Sequence, residues 1–126
     1  MCSSDLRLQG LNAVPYLDKT DSNRKKTQQG PIVITSETDR VYLNTLGAIE
    51  LEDQSLRRRI EIAKKNSLTT VVWNPWVEKA KSFADFGAAE WMQMVCVETC
   101  NVSDFAVELA PGQQHEMRSV VRVADF

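Results

Sequence analysis

Ala48-Ile49-Glu50-Leu51, then Asp53-Gln54-Ser55, then Arg57-Arg58-Arg59-Ile60-Glu61-Ile62-Ala63 is the stretch that decides the fold class. The polar triplet is turn chemistry between two strand-length segments, which predicts an antiparallel hairpin. In the second strand Ile60 and Ile62 share one face, while Arg59 and Glu61 take the other. Working outward, more strands follow. Leu6, Leu8 and Leu11 alternate with Arg7 and Gln9, and Ala13 to Leu17 is read as an extension of that strand. Pro31 opens the β-branched run Ile32-Val33-Ile34. Val41-Tyr42-Leu43 follows the polar break Ser36 to Asp39, and Thr70-Val71-Val72-Trp73 follows a turn at Asn66-Ser67. Three more strands are expected over 95–102, 105–109 and 116–123, with a tight turn at Pro111-Gly112. Helix formers place short helical inserts near 76–94, over 76–85 and 88–94, separated by Gly87. Asp18 to Gly30 holds no apolar residue and is expected to be a long surface loop. The class is mainly β.

Length and charge restrict the function. At 126 residues the chain is the size of one domain. Its net charge of −2 argues against a nucleic-acid binder or an anionic-membrane binder. No apolar run approaches the ~18 residues that span a bilayer. The start Met-Cys-Ser-Ser-Asp has neither a basic nor an apolar leader region, so the expected setting is cytoplasmic and reducing. Three Cys and one His build no closed zinc site unless all four converge, and no metal is expected.

Several residues invite chemistry. Cys96 and Cys100, on a strand, stand about 13 Å apart, too far for a disulfide or a shared zinc. Glu98 lies between them on their face, with Val95 and Val97 opposite. A carboxylate in that row is either at a rim or partly enclosed; an enclosed one has a raised pKa and suits a general base. Trp73 and Trp76 flank Asn74-Pro75 and form either an apolar platform for a sugar or core filling at a corner. Arg57 to Arg59 with Lys64-Lys65 lie among Glu50, Glu52, Asp53 and Glu61, and read as a solvated hairpin face. Asn101-Val102-Ser103 matches a glycosylation sequon that a reducing compartment leaves unused, and His115 reads as an exposed surface residue.

Five motifs occur in order: Thr38-Asp39-Arg40-Val41-Tyr42, Val71-Val72-Trp73-Asn74-Pro75-Trp76, Lys79-Ala80-Lys81, Ala84-Asp85-Phe86-Gly87 and Met94-Val95-Cys96-Val97-Glu98. Gly10-Leu11 with Tyr16-Leu17-Asp18-Lys19 precedes them. Together they resemble the glucose-6-phosphate 1-epimerases, or hexose-6-phosphate mutarotases, and especially the plant branch named for apospory-associated protein C. The resemblance implies a galactose-mutarotase-like β-supersandwich that interconverts the α and β anomers of a hexose 6-phosphate without a cofactor. It implies Glu98 as the base on the anomeric hydroxyl and Asp39 as a hydrogen-bonding anchor for the sugar. It assigns Trp73 and Trp76 to the family pattern, as possible cleft lining. It also implies that residues 1–126 are a partial domain, the C-terminal half of a longer fold. The acid His and phosphate-binding Arg residues of the family then have no counterparts here. Weakened activity and self-association through unpaired sheet edges are expected in consequence.

Overall fold

The computed structural model describes residues 5–125, so the expectations for residues 1–4, Cys2 included, lie outside the described residues. In chain order the strands are β1 (Leu6–Gln9), β2 (Tyr16–Asp18), β3 (Arg24–Lys26), β4 (Ile32–Val33) and β5 (Thr38–Leu43). They continue as β6 (Ile49–Asp53), β7 (Arg58–Lys65), β8 (Thr69–Asn74), β9 (Cys96–Cys100) and β10 (Arg118–Asp125), with helix α1 (Trp76–Ala80) between β8 and β9. They form two antiparallel sheets, ordered β10-β7-β6-β1-β4 and β3-β2-β5-β8-β9. The mainly β reading and the β6–β7 hairpin are what the chain adopts.

Asp53 closes that hairpin. Its buried carboxylate accepts from the Leu56 amide at 3.1 Å, Ser55 Oγ at 2.9 Å and Arg58 Nε at 3.0 Å. Burial alone raises its pKa, but these bonds outweigh burial and hold the carboxyl below its usual range. The solvated-face reading of the basic run holds only in part: Arg59 pairs with Glu50 at the surface, but Arg58 pairs with the fully buried Asp53 and Lys64 turns in between the sheets, because strand alternation puts Arg58 and Lys64 on the face of Ile60 and Ile62.

The core lies between the sheets. Leu6, Leu8, Ile32, Ile49 and Leu51 from the first sheet meet Tyr16, Tyr42 and Val72 from the second. Ile60 and Ile62 pack against this cluster, as their shared face requires. Each fully buried aliphatic side chain contributes roughly 1.5–3 kcal/mol. Lys64 pins the two sheets together. Its ammonium, on β7, donates to Thr45 Oγ1 at 2.6 Å, Thr70 Oγ1 at 2.9 Å, Thr69 O at 3.0 Å and Ser67 Oγ at 3.2 Å.

Five expectations need correction. Ala13 to Leu17 does not extend β1; the chain turns at Gly10 (φ +98°) and Ala13 (φ 58°) and crosses to the other sheet. A Cβ at Gly10 would stand 2.6 Å from Ala48 O, so only glycine fits the turn. The segment from Asp18 to Gly30 is not structureless. It holds a 3₁₀ turn, Lys19–Asp21, and β3, which pairs with β2. Asp18 ties it together, accepting from the Thr20 amide at 3.0 Å, Thr20 Oγ1 at 2.6 Å and Lys26 Nζ at 2.7 Å. A polar segment can order by pairing its backbone with an edge, without an apolar face of its own. β5 begins at Thr38, inside the expected polar break, because Thr38 is buried opposite Asn74. Phe105 to Leu109 forms no strand; after a 3₁₀ turn at Ser103–Phe105 the chain crosses towards the first sheet, leaving Val107 and Leu109 exposed. The helical inserts are shorter than expected, α1 and a 3₁₀ turn over Glu90–Gln93. Among the described residues no helix is long and apolar enough to cross a membrane.

Candidate functional site

The second sheet buries one face and leaves the other as a broad floor. Register places the floor residues, because directly opposed residues on antiparallel strands share a face. One row runs Lys25, Leu17, Val41, Val71, Glu98 across β3, β2, β5, β8 and β9. The next row runs Asp39, Trp73, Cys96 across β5, β8 and β9. Glu98, Asp39 and Trp73 therefore stand on one face, turned away from the core. Two strand spacings and one two-residue step put the Glu98 and Asp39 Cα atoms about 12 Å apart.

Glu98 is exposed on an edge strand, so the rim is the alternative that holds. Its closest contact is long and weak, Cys100 Sγ at 3.9 Å, which leaves the carboxylate open to a ligand. Cys96 and Cys100 are free thiols. Burial pushes both pKa values up, and the negative charge of Glu98 adds to the rise. They stay protonated and weakly nucleophilic. Asp39 is partly buried and makes no hydrogen bond or ion pair with a described residue through its carboxylate.

Trp73 and Trp76 separate. Trp73 stays on the floor beside Asp39, braced edge-on by Phe83 at 6.2 Å, which in turn meets Phe86 at 6.1 Å. Trp76 turns to the core cluster, with its ring 4.5 Å from Trp91. Of the two, only Trp73 is placed to face a ligand on the Glu98 floor.

Asn74, which lies between the two Trp in the sequence, organises this corner. It is fully buried, and its Nδ2 donates to Trp91 O and Met94 O, both at 2.8 Å. Its Oδ1 accepts from the Trp76 amide at 2.8 Å. These bonds set Met94 against the end of β8 and so fix where β9, and with it Glu98, begins. Asn followed by Pro at the end of a strand is the signal that could have found it.

A hollow of about 430 Å³ opens on the same floor. Leu17, Val41 and Val71 form its base, Lys19 and Asn23 one wall, and Val102 and Ser103 the other. The second wall is a strap held by Asn101, whose Oδ1 accepts from the Leu68 amide at 2.8 Å, and by Val102, whose amide donates to Thr69 Oγ1 at 3.1 Å. His115 lies elsewhere, exposed in the loop before β10, and lines a separate hollow with Asn66, Asn101 and Phe105.

Comparison with known proteins gives this geometry a family. The model of the family described as Aldose 1-epimerase matches residues 2–122. A candidate glucose-6-phosphate 1-epimerase of Cenchrus ciliaris is 38% identical over 112 residues, covering 88% of this chain and 34% of that protein. A candidate enzyme of the same name from Escherichia coli (strain K12) is 31% identical over 90 residues, covering 71% of this chain and 31% of its own length. The chain thus spans about a third of the length of these curated relatives. Among solved structures, a candidate mutarotase from Salmonella typhimurium superposes with a TM-score of 0.73 at 28% identity, over 78% of this chain and 33% of that one. The structure of HI1317 shares the fold, with a TM-score of 0.81 at 20% identity over 98% of this chain and 42% of its own. A family model that matches residues 2–122, with a relative 38% identical over 88% of the chain, means that the chain belongs to the aldose 1-epimerase family.

Proposed function

We propose that this chain carries the base-bearing part of a hexose-6-phosphate mutarotase site. The observation that supports the reading best is the common face of Glu98, Asp39 and Trp73. In the reaction Glu98 takes the proton of the anomeric hydroxyl as the C1–O5 bond breaks and the ring oxygen gains a proton. Rotation about C1–C2 and re-closure give the other anomer. Asp39 accepts from sugar hydroxyls and fixes the ring, and Trp73 offers an apolar surface to its C–H face. The chemistry moves protons only and runs without a cofactor, in a cytoplasmic setting.

The acid that protonates the ring oxygen is a His in the family that the sequence resembles. The one His of this chain, His115, is not on the Glu98 floor. Because acid and base act as a unit, the chain alone exchanges anomers weakly. Polarimetry of freshly dissolved α-glucose 6-phosphate tests this. The expected result is a small acceleration over buffer that disappears in Glu98→Gln. An acceleration that survives Glu98→Gln overturns the base assignment. Saturable binding with no acceleration in the wild type favours a second reading, a non-catalytic sugar-phosphate-binding module, for which the placement of His115 in a separate hollow is the supporting observation.

A further inference from the structure

Among the described residues, the open sheet edges are β10 and β4 in the first sheet and β3 and β9 in the second. All but one are guarded against pairing. β4 is two residues long. β3 is Arg24-Lys25-Lys26, so a second copy laid against it opposes cation to cation. β9 is five residues long and carries the exposed carboxylate of Glu98 at its centre. β10 has none of these guards. It is eight residues long, and its core-side residues Ser119, Val121 and Val123 are uncharged. Val121 stands opposite Ile62 and Val123 opposite Ile60, so both extend the apolar interior to the edge, yet both are exposed. Thr99 Oγ1 on β9 donates to Ser119 Oγ at 3.1 Å and ties that end of β10 to the second sheet. Past that bond the interior side of β10 is open to solvent.

The sequence of β10 selects a partner and a register. Two copies joined edge to edge in one antiparallel sheet are related by a twofold axis perpendicular to that sheet. The axis keeps both interiors on the same side, so opposed residues share a face and one residue opposes its own copy. Centred on Val120, the join sets Arg118 against Arg122. Centred on Arg122, it sets that guanidinium against itself. Like charges directly opposed are destabilising. Centres nearer either end of the strand pair fewer residues. Centred on Val121, the join opposes Val121 to Val121, Ser119 to Val123, Val120 to Arg122 and Arg118 to Ala124. Residues 118–124 of both copies are then paired, and no charge directly opposes its like. The two guanidinium charges are also met within their own chain, Arg118 by Glu116 at 3.3 Å and Arg122 by Glu61 at 3.0 Å.

We propose that β10 is a docking edge for a second copy of this chain, joined antiparallel about Val121 so that the first sheet runs on through both copies. Val121 and Val123 of the two copies then cover each other's exposed side and close the interior left open beside Ile60 and Ile62. The backbone groups on the outer edge of β10 gain hydrogen-bond partners. The inference is independent of the chemistry at Glu98, because the join lies on the first sheet and Glu98 on the second.

Disulfide trapping in the full chain tests both the docking and its register. Each variant carries one new cysteine and is oxidised mildly with oxidised glutathione. Mass spectrometry of the linked peptides separates β10 links from links through the native cysteines. Directly opposed Cα atoms on antiparallel strands are about 4.5–5.5 Å apart, within reach of a disulfide, whereas those offset by two residues are about 7–8 Å apart, beyond it. Val121→Cys is therefore expected to link to itself. Val120→Cys and Arg122→Cys should link to each other when the two variants are mixed, and about tenfold less to themselves when alone. All three positions are exposed, so the substitutions do not endanger the fold. A Val120→Cys or Arg122→Cys chain that links to itself as readily as Val121→Cys overturns the register. Absence of any link between β10 peptides, or sedimentation of the wild type as a monomer at every concentration at which a link is sought, overturns the docking.

Discussion

Removing the carboxylate of Asp53 should unfold the first sheet at its hairpin. Asp53 is fully buried and satisfies three donors, from Ser55, Leu56 and Arg58. In Asp53→Ala the Arg58 guanidinium, whose side chain is 32% exposed, regains water, so its charge is not stranded. The loss is therefore smaller than that of a deeply buried ion pair. One charge-assisted bond and two further bonds, with the Leu56 amide left poorly solvated, sum to roughly 3 kcal/mol. Urea unfolding followed by tryptophan fluorescence reads this directly. At a slope of about 1.5 kcal/mol/M the midpoint falls by about 2 M. A pH series adds a sign. The folded carboxyl titrates below its ordinary value of 3.8, so its contribution is present above that value and is lost as pH falls through the folded pKa. The gap between wild type and Asp53→Asn should accordingly be constant near neutrality and close below about pH 4. A midpoint shift under about 0.3 M, or a gap that does not change with pH, would refute the reasoning.

Two other outcomes follow from the same structure. Burial lowers the pKa of Lys64 from 10.5 to about 8, with the charge of Cys100 opposing the shift. The unfolded chain then binds more protons than the folded one between those values, so stability should rise from pH 8 to pH 10.5. Partial solvent screening reduces the gain to about 1–2 kcal/mol. Lys64→Met should flatten that rise in thermal melts; an unchanged slope would exclude Lys64 as its source. β10 is an unpaired eight-residue edge, and its core-side Val121 and Val123 are 60% and 62% exposed. Sedimentation at increasing concentration should show self-association that Val121→Lys suppresses, because an inward charge blunts an edge. A stable, cooperatively melting wild-type monomer at all concentrations would contradict it.

The candidate residues of the proposed site are named by local sequence. The motif ending in Glu98 and the one containing Asp39 named both residues, and strand alternation put Glu98 with Cys96 and Cys100. Alternation acts over two residues within one strand, so it could not say which strands would be neighbours. That β5, β8 and β9 lie side by side, and that Asp39 and Trp73 thereby join Glu98 on one floor, is a long-range fact of sheet order. The split between Trp73 and Trp76 escaped the sequence because a buried Asn74 sets the corner, and its partners Trp91 and Met94 are distant in the chain.

The sequence by itself determined the β class, the 48–63 hairpin and the family motifs, and it marked Glu98 and Asp39 as candidates. Those follow from local periodicity, turn chemistry and residue type, which operate over a few bonds. The tertiary structure alone decided that the polar stretch after Asp18 orders against β2, that Lys64 ties sheet to sheet, and that Lys19, Asn23 and Ser103 meet around one hollow. Each of these depends on segments whose sequences carry no mark of one another. Strand pairing and side-chain burial bring them together only once the chain is folded.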